Sequence, residues 1–142
     1  MPFIAWWPGT VAASTQTEHI SAFWDFLPTA TDLAGVRTPE NTDGISYLPT
    51  LLGAGEQATH NHLYWEFYER GGKQAVLKDN WKAVRLGVHA DPKAPLELYD
   101  LSVDEQEAHN VADQHPGVVV ELDSLMEASH IPSPVYQFDW EK

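Results

Sequence analysis

Apolar and polar side chains alternate between residues 63 and 86 in short runs set apart by turn formers. Leu63, Trp65 and Phe67 interleave with Tyr64, Glu66 and Tyr68, the period of a strand with one dry face and one partly wet face. Arg70, Gly71 and Gly72 can supply the positive φ angles of a tight reversal. Residues 74–77 then read as a second strand, Lys78, Asp79 and Asn80 as a turn, and residues 81–86 as a third strand. Residues 96–101 supply a fourth. Farther on, Pro116 suits a helix N1 position, and Val118, Leu122, Leu125 and Met126 form a stripe spaced i, i+4, i+7, i+8. A four-stranded antiparallel sheet with this C-terminal helix laid across it is an α+β unit.

The first third of the chain has a different texture. Residues 3–7 are apolar almost throughout, which predicts a strand buried on both faces, stopped by Pro8 and Gly9. A short chain has difficulty covering such a strand on both sides, so this segment looks built to sit inside something larger. Residues 21–35 predict a helix with Phe23, Phe26, Leu27, Ala30, Leu33 and Ala34 at helical spacing, Asp25 as N-cap, Pro28 in the first turn and Gly35 as the stop. Residues 36–43 read as a connector, and residues 54–61 as a loop that runs through His60 and Asn61 to His62. At the other end, residues 131–142 hold two prolines and the rings of Tyr136, Phe138 and Trp140, a tail pinned by its aromatics.

Composition narrows the classes. A chain of 142 residues buries roughly 68–70% of its unfolded surface, and six Trp, five Tyr and five Phe give it bulky core material. Apolar content of 43% excludes a disordered tail. No apolar run reaches the roughly 18 residues of a membrane span, and the opening residues do not read as a signal peptide. With no Cys, disulfides, thiolate metal sites and Cys nucleophiles all drop out. A net charge of −13, from 8 Lys+Arg against 21 Asp+Glu, argues against nucleic-acid or anionic-membrane partners. Yet Arg70, Lys73, Lys78, Lys82 and Arg85 place five of the eight basic residues in the meander. They form either a solvated, charge-mixed hairpin or a positive patch for an anionic ligand.

Candidate chemistry is sparse. His60 and His62 sit two apart on an extended segment, but a metal site lacks its third ligand. Trp65 and Trp81 serve as core or as stacking platforms for a sugar. Glu66 is expected to pair across the meander with Lys73, Lys82 or Arg85, and no second carboxylate is spaced to make it a general acid. His109 and His115 flank the final helix as capping or surface residues; His19, His89 and His130 have no partner visible in the sequence.

Several blocks together resemble the type I (arylsulfatase-like) sulfatases, in their C-terminal portion only. They are Leu-Tyr-Trp-Glu-Phe at 63–67, Gly-Gly-Lys-Gln-Ala-Val at 71–76, Asn-Trp-Lys-Ala-Val-Arg at 80–85 and Leu-Glu-Leu-Tyr-Asp-Leu at 96–101. The helix phrase at 25–35 and the opening Pro-Phe-Ile-Ala-Trp-Trp-Pro-Gly are similar to family segments too. The resemblance implies that residues 1–48 are a strand-helix edge of a large alkaline-phosphatase-like α/β domain, and that residues 49–142 are the small α+β subdomain. It implies sulfuric ester hydrolysis by the whole enzyme, with a formylglycine nucleophile made from a Cys/Ser-x-Pro-Ser/Ala-Arg motif and a calcium ion. This chain contains no such motif: Ser133-Pro134 is the nearest echo and lacks the arginine. No catalytic or metal residue and no cofactor is therefore assigned here, and the chain alone is expected to be inactive. Leu77, where many relatives carry Arg, shifts weight from sulfate binding to packing. His60, His62, Trp65, Lys73 and Lys82 are the residues the resemblance and the basic patch offer to a substrate rim.

The partner implied is the N-terminal catalytic region, with self-association through the residue 3–7 strand as a second expectation. A full-length relative would be periplasmic or secreted. The alternative function is a stand-alone binding module for acidic glycans.

Overall fold

A computed structural model describes residues 3–142; Pro2, in the opening motif, lies outside them. The chain divides into two compact units, one running through His60 and the other starting at Asn61.

The second unit carries the predicted sheet. Strands β1 (Leu63–Phe67), β2 (Lys73–Lys78), β3 (Trp81–Leu86) and β4 (Leu96–Asp100) lie in the order β1-β2-β3-β4, antiparallel throughout. The register sets Tyr64, Val76, Ala83 and Leu98 in one line across the strands. Val76, Ala83 and Leu98 are buried there with Leu122 and Met126 of the long helix Pro116–Ser129. Pro116 opens that helix at N1, where its missing N–H costs nothing. The opposite sheet face carries Trp65, Ala75, Val84 and Glu97 in line. The first reversal uses positive φ at Arg70, Gly71 and Gly72. Gly72 is also a close approach, since a Cβ there would lie 2.9 Å from the His89 ring and 3.1 Å from Phe138. Trp81 packs against His115 with the rings tilted by 52° and their centres 4.8 Å apart, so Trp81 serves packing here.

In the first unit a 3-10 turn, Phe23–Asp25, leads directly into α1, Phe26–Leu33. Pro28 falls in the first turn of α1, and Gly35 follows its end at φ 66°. A short helix α2, Leu48–Leu52, comes next and stops at left-handed Gly53; the long helix of the second unit is thus α3. Gly44 crosses so near the 3-10 turn that a Cβ would stand 2.3 Å from the Trp24 carbonyl oxygen, and only glycine fits there. Residues 3–7 are a correction to the sequence reading. They form no strand, because no other segment among the described residues offers them a ladder of backbone partners. The expected apolar face of α1 is likewise uncovered: Phe23, Phe26, Leu27 and Leu33 are exposed.

Candidate functional site

Two polar clusters stand out, one in each unit. In the first, the Asp25 carboxylate is fully buried and accepts from the Ala22 N–H at 2.7 Å and the Ile45 N–H at 2.9 Å. His60 Nε2 reaches its two oxygens at 2.8 and 3.0 Å. Thr29 continues the network, donating to the Asp25 carbonyl and accepting from the Tyr47 N–H at 3.0 Å. Asp25 occupies the position before α1 but does not cap it. Its backbone is helical (φ −73°, ψ −15°), which turns the carboxylate back to Ala22 and across to Ile45. The ring of His19 has a buried Nε2 with no hydrogen-bond partner. Burial lowers its pKa, opposed by the Asp25 charge and aided by His60.

The second cluster centres on Glu66. Tyr64 donates to its Oε1 at 2.5 Å, Tyr68 donates to its Oε2, and His130 Nδ1 stands 2.5 Å from Oε1. Gln74 supports the cluster by donating to the Tyr64 hydroxyl at 2.7 Å. Burial alone would raise the pKa of Glu66, but the hydrogen bonds from His130, Tyr64 and Tyr68 carry it below the usual range. The two phenols are pushed up, first by burial and then by donating to the carboxylate. Burial opposes the charge on His130, yet Glu66 and Glu141 raise its pKa. A carboxylate engaged by three donors stays anionic and makes a poor proton donor. The expected pairing of Glu66 with a basic residue is corrected by strand parity. Lys73 and Lys82 lie on the opposite sheet face, while Arg85, on the same face, is taken by Asp123.

The residues offered to a substrate rim do not form one cluster. His60 is held by Asp25 in the first unit. His62 precedes β1 and meets Ser129 of α3 through Nε2 at 2.8 Å, leaving its buried Nδ1 unpartnered. Trp65, Lys73 and Lys82 do share one sheet face. On it Lys73 lies opposite Leu86 and Lys82 opposite Leu77, four positions along β2 and about 13 Å apart. Lys82 pairs with Glu107 at 2.5 Å, and Lys78, Arg85 and Lys93 pair with Glu121, Asp123 and Glu127 of α3. Arg70 and Lys73 remain without an ion pair among the described residues. Also among the described residues, no group of three His, Asp or Glu is placed to hold a metal ion.

Sequence reasoning missed both clusters. Asp25 and His60 are 35 residues apart, and Glu66 and His130 are 64 apart, so no local period links them. The only available signal was a row of histidines without local partners in a strongly acidic chain.

Comparison with known proteins supplies what the geometry does not. Residues 1–130 match the family described as N-sulphoglucosamine sulphohydrolase, C-terminal. The chain is 33% identical to arylsulfatase A of Bos taurus over 132 residues, 79% of this chain and 26% of that protein. It is also 33% identical to the N-acetylgalactosamine-6-O-sulfatase of Bacteroides thetaiotaomicron over 143 aligned residues, 90% of this chain and 27% of that protein. A solved structure of a 2-O GAG sulfatase superposes with a TM-score of 0.63 at 27% identity, over 73% of this chain and 23% of that one. The chain thus spans about a quarter of the length of the relatives it matches.

Proposed function

The chain belongs to the sulfatases, as a C-terminal sulfatase domain, and on that premise we propose that it is the supporting flank of a sulfuric ester hydrolase acting on a sulfated carbohydrate. The substrate class rests on relatives such as the N-acetylgalactosamine-6-O-sulfatase. In this reading residues 1–48 are the edge of a large α/β domain, and residues 49–142 brace that domain and shape the substrate rim. Of the rim residues, Lys73 keeps its ammonium free of any ion pair among the described residues and would face a sulfate or uronate charge.

The observation that carries the proposal is the exposed apolar surface of the first unit. Ile4, Trp6 and Phe23 are 88%, 84% and 94% exposed, with Phe3, Phe26, Leu27 and Leu33 exposed beside them in the sequence. Isolated exposed apolar residues are ordinary, but so many large ones mark surface meant to be covered. A preceding catalytic region would cover it and would give residues 3–7 the ladder partners they lack.

The bond-breaking step belongs to groups outside this polypeptide. A formylglycine hydrate as nucleophile and a dication to neutralise the sulfate are what sulfatase chemistry requires. This sequence has no Cys and no Ser in the required motif to furnish that nucleophile. The test is a chromogenic aryl sulfate with calcium. The 142-residue chain should give no turnover above buffer, whereas the same chain fused behind a sulfatase catalytic region should support it. Turnover by the pure chain would overturn the proposal.

A further inference from the structure

The tail beyond α3 closes on the rest of the second unit through its rings, Tyr136 against Tyr68, Trp140 against His130, and Phe138 between them. Phe138 is fully buried, stacked on Tyr68 at 4.5 Å between ring centres and edge-on to His89 at 5.5 Å, with Gly72 leaving it room. A final 3-10 turn, Asp139–Glu141, holds it there. Glu141 Oε2 accepts from the Phe138 N–H at 2.7 Å, and the Asp139 N–H donates to His89 Nδ1 at 3.0 Å.

His130 ties this turn to the sheet. Its Nδ1 stands 2.5 Å from Glu66 of β1, and its Nε2 stands 3.0 Å from Glu141 of the tail. A neutral imidazole carries a single N–H and would turn a lone pair on one of these carboxylates. Only the imidazolium donates to both. We propose that residues 131–142 are a strap over a ring-sized slot formed by Tyr68, Gly72 and His89, and that His130, charged between Glu66 and Glu141, is its pH-sensitive clasp. Other titratable groups surround it, and His89 also meets the tail, its Nδ1 accepting from the Asp139 N–H and lying 3.5 Å from the Asp139 carboxylate. Tyr64 of β1 and Tyr68 just after it approach as hydroxyl donors to Glu66, His89 approaches from the loop after β3, and Asp139 and Lys142 of the tail pair with each other at 2.8 Å.

The direction of the pH response follows from the two partners. Because the His130 pKa is raised from 6.5, the clasp's stabilisation is complete below pH 6.5 and is lost as pH rises through the raised value. Because the Glu66 pKa is lowered from 4.5, its share is complete above pH 4.5 and is lost as pH falls through the lowered value. The strap is therefore fastened in mild acid and opens on the alkaline side.

An NMR titration of the 142-residue chain from mild acid to alkaline pH tests this. The His130 Cε1–H should titrate above 6.5, and the Phe138 and Glu141 amides should move toward coil positions with the same midpoint. The Val76 and Ala83 amides should hold, which separates strap release from unfolding. Glu141→Gln keeps an acceptor for the Phe138 N–H but removes the charge, and should lower both midpoints by about 1 unit. A His130 midpoint at or below 6.5, tail amides indifferent to it, or an unmoved midpoint in Glu141→Gln would overturn the proposal.

Discussion

The two units differ in how their apolar side chains are placed: the second encloses a cluster of them, and the first leaves most of its large ones exposed. From Asn61 onward the interior is mainly hydrocarbon, with Val76, Ala83, Leu98, Leu122 and Met126 enclosed, the buried polar Gln74 and Arg85 held by Tyr64 and Asp123, and Lys78, Lys93, Glu121 and Glu127 arranged outside as ion pairs. Before it, the enclosed groups include the Asp25 carboxylate and Thr29, while Trp6, Phe23 and Phe26 face outward. The same hydrophobic rule governs both. On the proposed reading, a unit that hides the Asp25 carboxylate and displays Trp6, Phe23 and Phe26 is organised for a surface supplied by a preceding catalytic region, whereas the sheet unit encloses its own apolar core.

Substitutions can break or sharpen that contrast. The largest effect is expected from Leu98→Ala, which opens a cavity in the hydrocarbon core and should cost the sheet unit about 4 kcal/mol in denaturant unfolding. Asp25→Ala should cost about 3 kcal/mol, because it strands His60 and two backbone N–H groups in a buried site. Faster amide exchange at Ile45 and Tyr47, with Val76 unchanged, would place the damage in the first unit. Lys82→Ala removes a partly exposed pair with Glu107 and should cost less than about 1 kcal/mol, shrinking further in high salt. Phe23→Ser should be the mildest, within about 0.5 kcal/mol in this chain. Its consequence would appear only in a chain carrying the catalytic region, as weakened docking.

The sheet could be read from the sequence because its signals are local. Alternation over Leu63–Phe67, the Gly71-Gly72 reversal, Pro116 at N1 and the stripe ending at Met126 each lie within a few residues of what they determine. The resemblance to sulfatases rested on the same segments. What could not be read depended on distant partners. Period-two parity assigns Glu66 to a face, but nothing in it says that His130 will arrive from the end of α3 or that Glu141 will fold back to meet it. The same parity set Lys73 and Lys82 on the other face, so the pairing expected for Glu66 overlooked the alternation already evident. Residues 3–7 were read as a strand from their composition, yet a strand exists only with a neighbour, and apolar content cannot supply one.

Hydroxyl-radical footprinting of Trp6 and Phe23 tests the central claim most directly. The two side chains should be oxidised readily in the 142-residue chain and protected when it is joined to a sulfatase catalytic region, while Phe138 stays protected in both. Equal labelling of Trp6 and Phe23 in the two forms would contradict the claim that the first unit's apolar surface exists to be covered.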